Sequence, residues 1–525
     1  MRLPVFLLLA LPCFVFAQNP AIDVLHYRFA LELSDASDVI QGDAGIQLIW
    51  RNPADALVLD LHAPEAEGKG MTVTAVTSNE QAWRFEQSGE QLRCFPAGLS
   101  KPGDTGALNI QYSGIPADGL IIATNRYGDR TFFGDNWPNR AHHWLPCVDH
   151  PSDKASVEFL VTAPEHYQVV ANGDQLEETN LPGSLKRTHW RTSVVLPTKV
   201  MVIGAARFAV QLAGYDMQHR PVTSWVYPQD RDKGFDSYAP ALPVLEYYER
   251  LIGPYPNEKL ANVQSKTRYG GMENAGNIFY YEASVDGGRD IETLIAHEIV
   301  HQWFGNSASE ADWPHVWLSE GFATYLTNLY VLDTQGDPAF RERLVEERET
   351  VLDFAKRRLR PIVDTEETNI NRLLNANSYQ KAGWVLHMLR QKTGDAAFRQ
   401  GIRQYYQQYQ FSNAFTDDFR KVMEKVSGQN LSGFFEQWLL RAGHPKLQLS
   451  WEAAGKKRIR IQVLQIQEGP AFEFPLELDI QAGGQTLRQT LQVTQKQQDF
   501  VLKIKGSVDA VQFDPEINLL WEKAE

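Results

Sequence analysis

His297-Glu298-Ile299-Val300-His301, followed after eighteen residues by Glu320, is the stretch on which the reading of this chain turns. The spacing predicts a helix over 291–305, with Ile291, Leu294, Ile295, Ile299 and Trp303 among its apolar positions. Residues four apart on a helix share a face, with Cβ atoms about 6 Å apart, so the two imidazoles can converge on one metal ion. Glu298 adjoins the first of them, and its carboxylate can reach a water at the metal without binding the metal itself. A second helix is predicted from near Leu318 toward Leu332, ending before the breaker Gly336-Asp337-Pro338. Packed across the first, it brings Glu320 in as a third ligand and leaves a fourth position open. Two histidines, one glutamate and water form a hydrolytic zinc arrangement, whereas structural zinc sites are usually closed by cysteine and histidine. The competing reading is chance, because a pattern with three fixed positions recurs in unrelated helices. Further features of the chain favour the metal.

Upstream, Arg268-Tyr269-Gly270-Gly271-Met272-Glu273-Asn274-Ala275-Gly276 is glycine-rich, holds a single carboxylate and leads into the strand-like Ile278-Phe279-Tyr280-Tyr281. Alone it reads as a turn between strands. Beside a zinc site, an exposed strand edge can pair with an extended peptide. A carboxylate there can bind a free α-ammonium, which confines cleavage to the amino end of a peptide.

These segments resemble the M1 family of zinc aminopeptidases. Gly270-Gly271-Met272-Glu273-Asn274 is similar to the family's GxMEN exopeptidase motif, whose usual GAMEN form is altered only at the alanine, here Gly271. That change is expected to loosen the loop while keeping its backbone contacts. His297 through Asn306 and Trp317-Leu318-Ser319-Glu320-Gly321-Phe322-Ala323 are similar to its zinc-binding core. The resemblance implies one zinc ion per chain held by His297, His301 and Glu320, with Glu298 as general base. It also implies substrate contacts from Gly270, Gly271, Met272, Glu273 and Asn274. Tyr379, before Lys381-Ala382-Gly383, matches the family's tyrosine that donates to the tetrahedral intermediate; a phenol suits that task because it stays protonated at neutral pH. Without the resemblance, Tyr379 reads as a packing residue, and Lys381 as structural or solvated.

Pro146-Cys147-Val148-Asp149-His150-Pro151 resembles the PC-x-D-x-P element that ends the substrate-facing part of the family's N-terminal domain. Relatives place a glutamine or glutamate just before it to help hold the amine. Here Phe133-Gly134-Asp135-Asn136-Trp137-Pro138-Asn139-Arg140 offers none at that offset, leaving Asp135, Asn136 and Trp137 as alternatives for the first specificity pocket. The resemblance covers most of the chain and implies a short form without the helical C-terminal domain that roofs the cavity in larger relatives.

The chain has 525 residues, 43% hydrophobic and 22% charged, enough for several cores. Residues 1–17 have a basic start, an apolar run to Phe16 and a small residue at Ala17, the pattern of a cleaved secretory signal. Export to the periplasm or outside the cell is expected, with no membrane span after cleavage. Cys94 and Cys147 then remain, and a bridge between them is possible but not implied. A net charge of −14 and the lack of a long basic run argue against nucleic acid. Short alternating runs over 18–209 predict an antiparallel β-sandwich or saddle. Helical spacing dominates 210–442, where the resemblance implies a thermolysin-like zinc domain. Alternation returns over 443–525 as a small β-sandwich, making the whole a multidomain α+β protein. The charge run from Arg341 to Glu349 is read as a solvated helix face.

The expected function is zinc-dependent hydrolysis of the first peptide bond of peptides with a free N-terminus. A zinc endopeptidase, a dual hydrolase of the leukotriene type and a silent peptide-binding scaffold are the rival readings.

Overall fold

A computed structural model describes residues 21–96, 98–455 and 457–524; the expected signal segment lies outside them. The N-terminal region is β-rich, as its alternation predicts. Its main sheet has nine strands, with Ile22–Glu32 at the centre between Ile40–Trp50 and Lys154–Pro164. The pairing is not wholly antiparallel. Ile22–Glu32 runs parallel to Lys154–Pro164, with Phe29 opposite Phe159, because the chain returns through a four-stranded second sheet before re-entering the first. Alternate residues of these strands point inward, where Tyr27, Phe29, Phe159 and Trp144 stack at 5.4–6.5 Å. Cys94 and Cys147 are buried here and both are free thiols, so the possible bridge is not formed.

A five-stranded sheet begins the next region, in the order Ala209–Tyr215, Pro221–Val226, Leu260–Ser265, Asn277–Tyr281, Gly271–Met272. The three inner strands are parallel, which requires crossovers and buries them. Helices α1 (Arg231–Tyr238) and α2 (Ala241–Leu251) supply the first crossover. The glycine-rich motif forms the short antiparallel edge, Gly271 opposite Tyr280 and Met272 opposite Phe279.

The zinc-motif helix α3 spans Glu292–Val300 and is shorter than the 291–305 its apolar spacing predicts. After Val300 the turn tightens, with Gln302 N bonded to Ile299 O and Trp303 N to Val300 O, and the chain reverses at Gly305 with φ +117°. A Cβ at Gly305 would lie 2.2 Å from Ser319 Oγ, so only glycine admits this approach. Helix α4 (Trp317–Gln335) packs across α3, and α5 (Asp337–Arg357) follows after Gly336. The α3–α4 crossing is fixed from below by rings: Phe304 lies 4.6 Å from Phe322, and Phe322 lies 5.0 Å from Phe419. Such pairs are each worth about 1 kcal/mol beyond area burial. Helices α6 (Ala382–Thr393), α7 (Asp395–Tyr409) and α8 (Thr416–Ser427) complete the layer. From Lys446 onward, four-stranded and three-stranded sheets form the C-terminal β unit.

The N-terminal β region is locked to the loop that follows α3. Lys154 Nζ donates to the carbonyls of Asn306 at 3.1 Å and Ser307 at 2.6 Å, and Lys199 pairs with buried Glu310.

Candidate active site

Helix α3 presents His297, His301 follows one turn later as its C-cap, and α4 brings Glu320 to them. The two Nε2 atoms are 3.2 Å apart, and Glu320 Oε2 lies 3.7 Å from His297 Nε2 and 3.4 Å from His301 Nε2. One-turn spacing along the sequence supplies only the two imidazoles; the α3–α4 crossing completes the triangle. His301 Nδ1 lies 3.2 Å from the Phe304 carbonyl and 3.0 Å from Ser319 Oγ. A proton on Nδ1 bonded to that carbonyl leaves the Nε2 lone pair directed at the triangle, as a metal-ligating histidine requires.

Three carboxylates meet here. Glu273 and Glu298 also have atoms within 4.8 Å of His301, and both are buried. Burial, then the neighbouring carboxylates, hold Glu298 well above the usual carboxylate range, with His301 opposing. Burial likewise raises Glu273, against the pull of His301. His301 resists burial because Glu320, Glu273 and Glu298 surround it, and is pushed up to about 10. His297 is lowered, chiefly by burial. Two imidazoles cannot balance three buried carboxylates, so the site is short of positive charge. A divalent cation on the His297–His301–Glu320 triangle and an ammonium at Glu273 would supply it. The donor set, two nitrogens and one carboxylate oxygen with an open side toward a cavity, fits zinc.

That cavity holds about 440 Å³. One wall is the motif strand, with Tyr269, Gly270, Gly271, Met272 and Glu273. The Glu273 carbonyl is clamped by Gln302 Nε2 at 3.0 Å and Asn306 Nδ2 at 2.6 Å, which ties the strand to the end of α3. Its side-chain Oε1 is buried with no hydrogen-bond partner. Asn274 is buried and off the cavity wall; its carbonyl accepts Asn277 N at 2.9 Å to close the turn. Tyr379 stands on the cavity over His297, ring centroids 6.3 Å apart and nearly parallel, and lies in a π-helical turn over Asn377–Lys381. Burial and then Glu320, Glu273 and Glu298 raise its phenol, which keeps it a donor. Single π-turns inside helices often mark functional positions.

Among the three alternatives for the first pocket, Trp137 reaches the cavity. Asp135 is buried and pairs with Arg140 at 2.7 Å, and Asn136 holds the carbonyls of Thr198 and Met201. Sequence reasoning missed the supports Gln302, Asn306 and Ser319, although they adjoin the motifs; nothing in one-dimensional spacing shows which carbonyl they meet. The Arg341–Glu349 run is only partly the solvated face that the sequence suggests: Glu342, Glu346 and Glu349 are exposed, but two of its residues turn inward. Arg343 and Glu347 face the cavity, and Glu347 is buried rather than solvated, because α5 lies against α4.

Comparison with known proteins agrees with this geometry. The Peptidase M1 N-terminal domain profile matches residues 24–200, and the Peptidase family M1 domain profile matches 237–438. Glutamyl aminopeptidase of Homo sapiens is 27% identical over 331 residues, covering 60% of this chain and 34% of its own. Aminopeptidase 2, mitochondrial, of Saccharomyces cerevisiae is 26% identical, covering 83% of this chain and 48% of its own. The chain thus spans about a third to a half of the length of these relatives. The M1 zinc metallopeptidase of Deinococcus radiodurans superposes with a TM-score of 0.68 at 25% identity, covering 81% of this chain and 95% of that one. With both profiles in chain order, and the histidine–glutamate triangle and motif strand sharing one cavity, the chain belongs to the peptidase M1 family.

Proposed function

We propose that the protein is a zinc-dependent aminopeptidase that hydrolyses the first peptide bond of peptides with a free N-terminus. One observation carries this reading: Glu273, with a buried and unpartnered carboxylate oxygen, shares a cavity with the His297–His301–Glu320 triangle. A peptide ammonium satisfies that oxygen by a charge-assisted hydrogen bond.

His297, His301 and Glu320 would hold the family's single catalytic zinc. Bound there, zinc supplies a Lewis acid that polarises the scissile carbonyl and makes water acidic near neutral pH. Glu273 receives the ammonium, and Gly270 with the edge strand Gly271–Met272 offers backbone groups to the extended substrate. Glu298 takes a proton from the attacking water and returns it to the leaving nitrogen as the C–N bond breaks. Water's oxygen thereby ends on the acyl carbon, and both products leave intact. Tyr379 donates its O–H to the oxygen that gains negative charge.

The site residues, the division at 18–209, 210–442 and 443–525, and export directed by residues 1–17 belong to the same proposal. Support for export is the sequence pattern of Met1–Ala17; N-terminal sequencing of the exported protein tests it, with Gln18 as the expected first residue. Among the described residues no helix is long and apolar enough to cross a membrane. Matched peptides with free and acetylated N-termini test the activity. Cleavage of the free peptide alone supports the aminopeptidase; equal cleavage of both makes the protein an endopeptidase.

A further inference from the structure

Besides the motif strand, α4 and α5 line the cavity, with Thr324, Thr327, Arg343 and Glu347. Thr324 lies one turn beyond Glu320, and its hydroxyl donates to the Glu320 carbonyl at 2.8 Å. If Glu273 holds the amino end on the strand side and the reacting bond lies at the His297–His301–Glu320 triangle, the residue after that bond extends toward this wall. The placement rests on the proposed aminopeptidase reading.

Arg343 is the cation on this wall. Its Nε donates to Asn328 Oδ1 at 2.7 Å, which fixes the guanidinium plane. Asn328 Nδ2 is spent on both oxygens of Glu347, each at 2.9 Å. Arg343 Nη2 forms an ion pair with Glu347 Oε1 at 3.9 Å, too long for a hydrogen bond. Among the described residues, its Nη groups have no hydrogen-bond partner. Glu347 is buried, and burial pushes its carboxyl up to about 7, so near neutrality it offsets only part of the Arg343 charge. Arg343 lines the same cavity as His297, Glu320 and Tyr379. A guanidinium held by one edge, with its remaining donors facing a cavity, is built to receive a planar anion in bidentate fashion.

We propose that Arg343 recognises a carboxylate on the residue that follows the scissile bond. That carboxylate is either an acidic side chain or, in a dipeptide, the terminal α-carboxylate. The substrate class is therefore peptides anionic at their second residue, with dipeptides included.

Three substrates separate the sources, each carrying the N-terminal residue that gives the fastest anilide hydrolysis. Their second residues are glutamine amide, glutamate amide and free-acid glutamine. In the unaltered enzyme, kcat/KM for at least one of the two carboxylates is expected to exceed that for the neutral amide about tenfold or more. The one that does identifies the source. Arg343→Gln should bring that ratio close to one, Arg343→Lys should leave it intermediate, and Glu347→Gln should raise it. Circular dichroism of each variant checks folding, and the ratio within one variant is independent of the fraction folded. No preference in the unaltered enzyme, or a ratio unchanged by Arg343→Gln, overturns the proposal. If anilide hydrolysis is itself absent, it is the aminopeptidase reading that has failed.

Discussion

Gly271 lies against the side chain of Glu298: a Cβ built on Gly271 would sit 2.4 Å from Glu298 Oε1 and 2.7 Å from its Cγ. The departure from the usual family motif therefore does more than loosen a loop. It lets the carboxylate of the proposed general base rest on bare backbone of the strand proposed to pair with the peptide. Gly271→Ala forces that carboxylate to shift, and displacement of about 1 Å can cost a hundredfold in rate. We expect kcat to fall about tenfold or more with zinc content unchanged, measured by steady-state anilide hydrolysis and metal analysis. An unaltered kcat would show that Glu298 works equally well from another rotamer.

Glu298→Gln preserves shape and removes the base. Turnover should drop by about 10²–10⁴, the usual contribution of a positioned base, while one zinc per chain is retained. Near-normal peptide hydrolysis by this variant would remove Glu298 from its role.

Glu273→Ala takes away the buried carboxylate proposed to receive the substrate amine. Its loss should cost about tenfold to a hundredfold in kcat/KM on aminoacyl anilides, as expected for a hydrogen bond to a charged group. Zinc content should not change. Unchanged catalytic efficiency would place the amine elsewhere.

The candidate zinc site is legible in the sequence because its geometry is local: four-residue spacing puts His297 and His301 on one helix face, and the role proposed for Glu298 needs only adjacency. Glu320 depended on a crossing that α3 and α4 achieve through Phe304 and Phe322, whose ring contact no spacing rule reveals. The β-rich ends followed from alternation, while the parallel pairing of Ile22–Glu32 with Lys154–Pro164 joins residues more than a hundred positions apart and left no local mark. Arg343 and Glu347 were hidden by composition. A run of charges reads as a wet surface, and only the seating of α5 on α4 turns two of them inward. The π-turn that carries Tyr379 was likewise invisible to a 3.6-residue period.

Stability should carry a pH signature from Asp153. Burial pushes this carboxyl from 3.8 up to about 7; Val24 N, at 3.3 Å from Oδ2, only partly opposes it, and Oδ1 has no partner. The folded protein thus holds a proton there that the unfolded chain has released between those values. The contribution is full below pH 3.8 and is lost as pH rises toward 7, by about 1.4 kcal/mol per unit and on the order of 4 kcal/mol in all. Asp153→Asn removes the penalty, so its stability relative to the parent should rise between pH 4 and 7 and level off above. Denaturant unfolding across that range measures it; a pH-independent difference would mean Asp153 titrates normally.

The most direct measurement is metal content beside activity in one preparation. Purified protein should hold one zinc per chain, lose aminoacyl-anilide hydrolysis when a chelator strips it, and recover both together when zinc is restored. Activity that survives complete removal of the metal would contradict the role given to His297, His301 and Glu320.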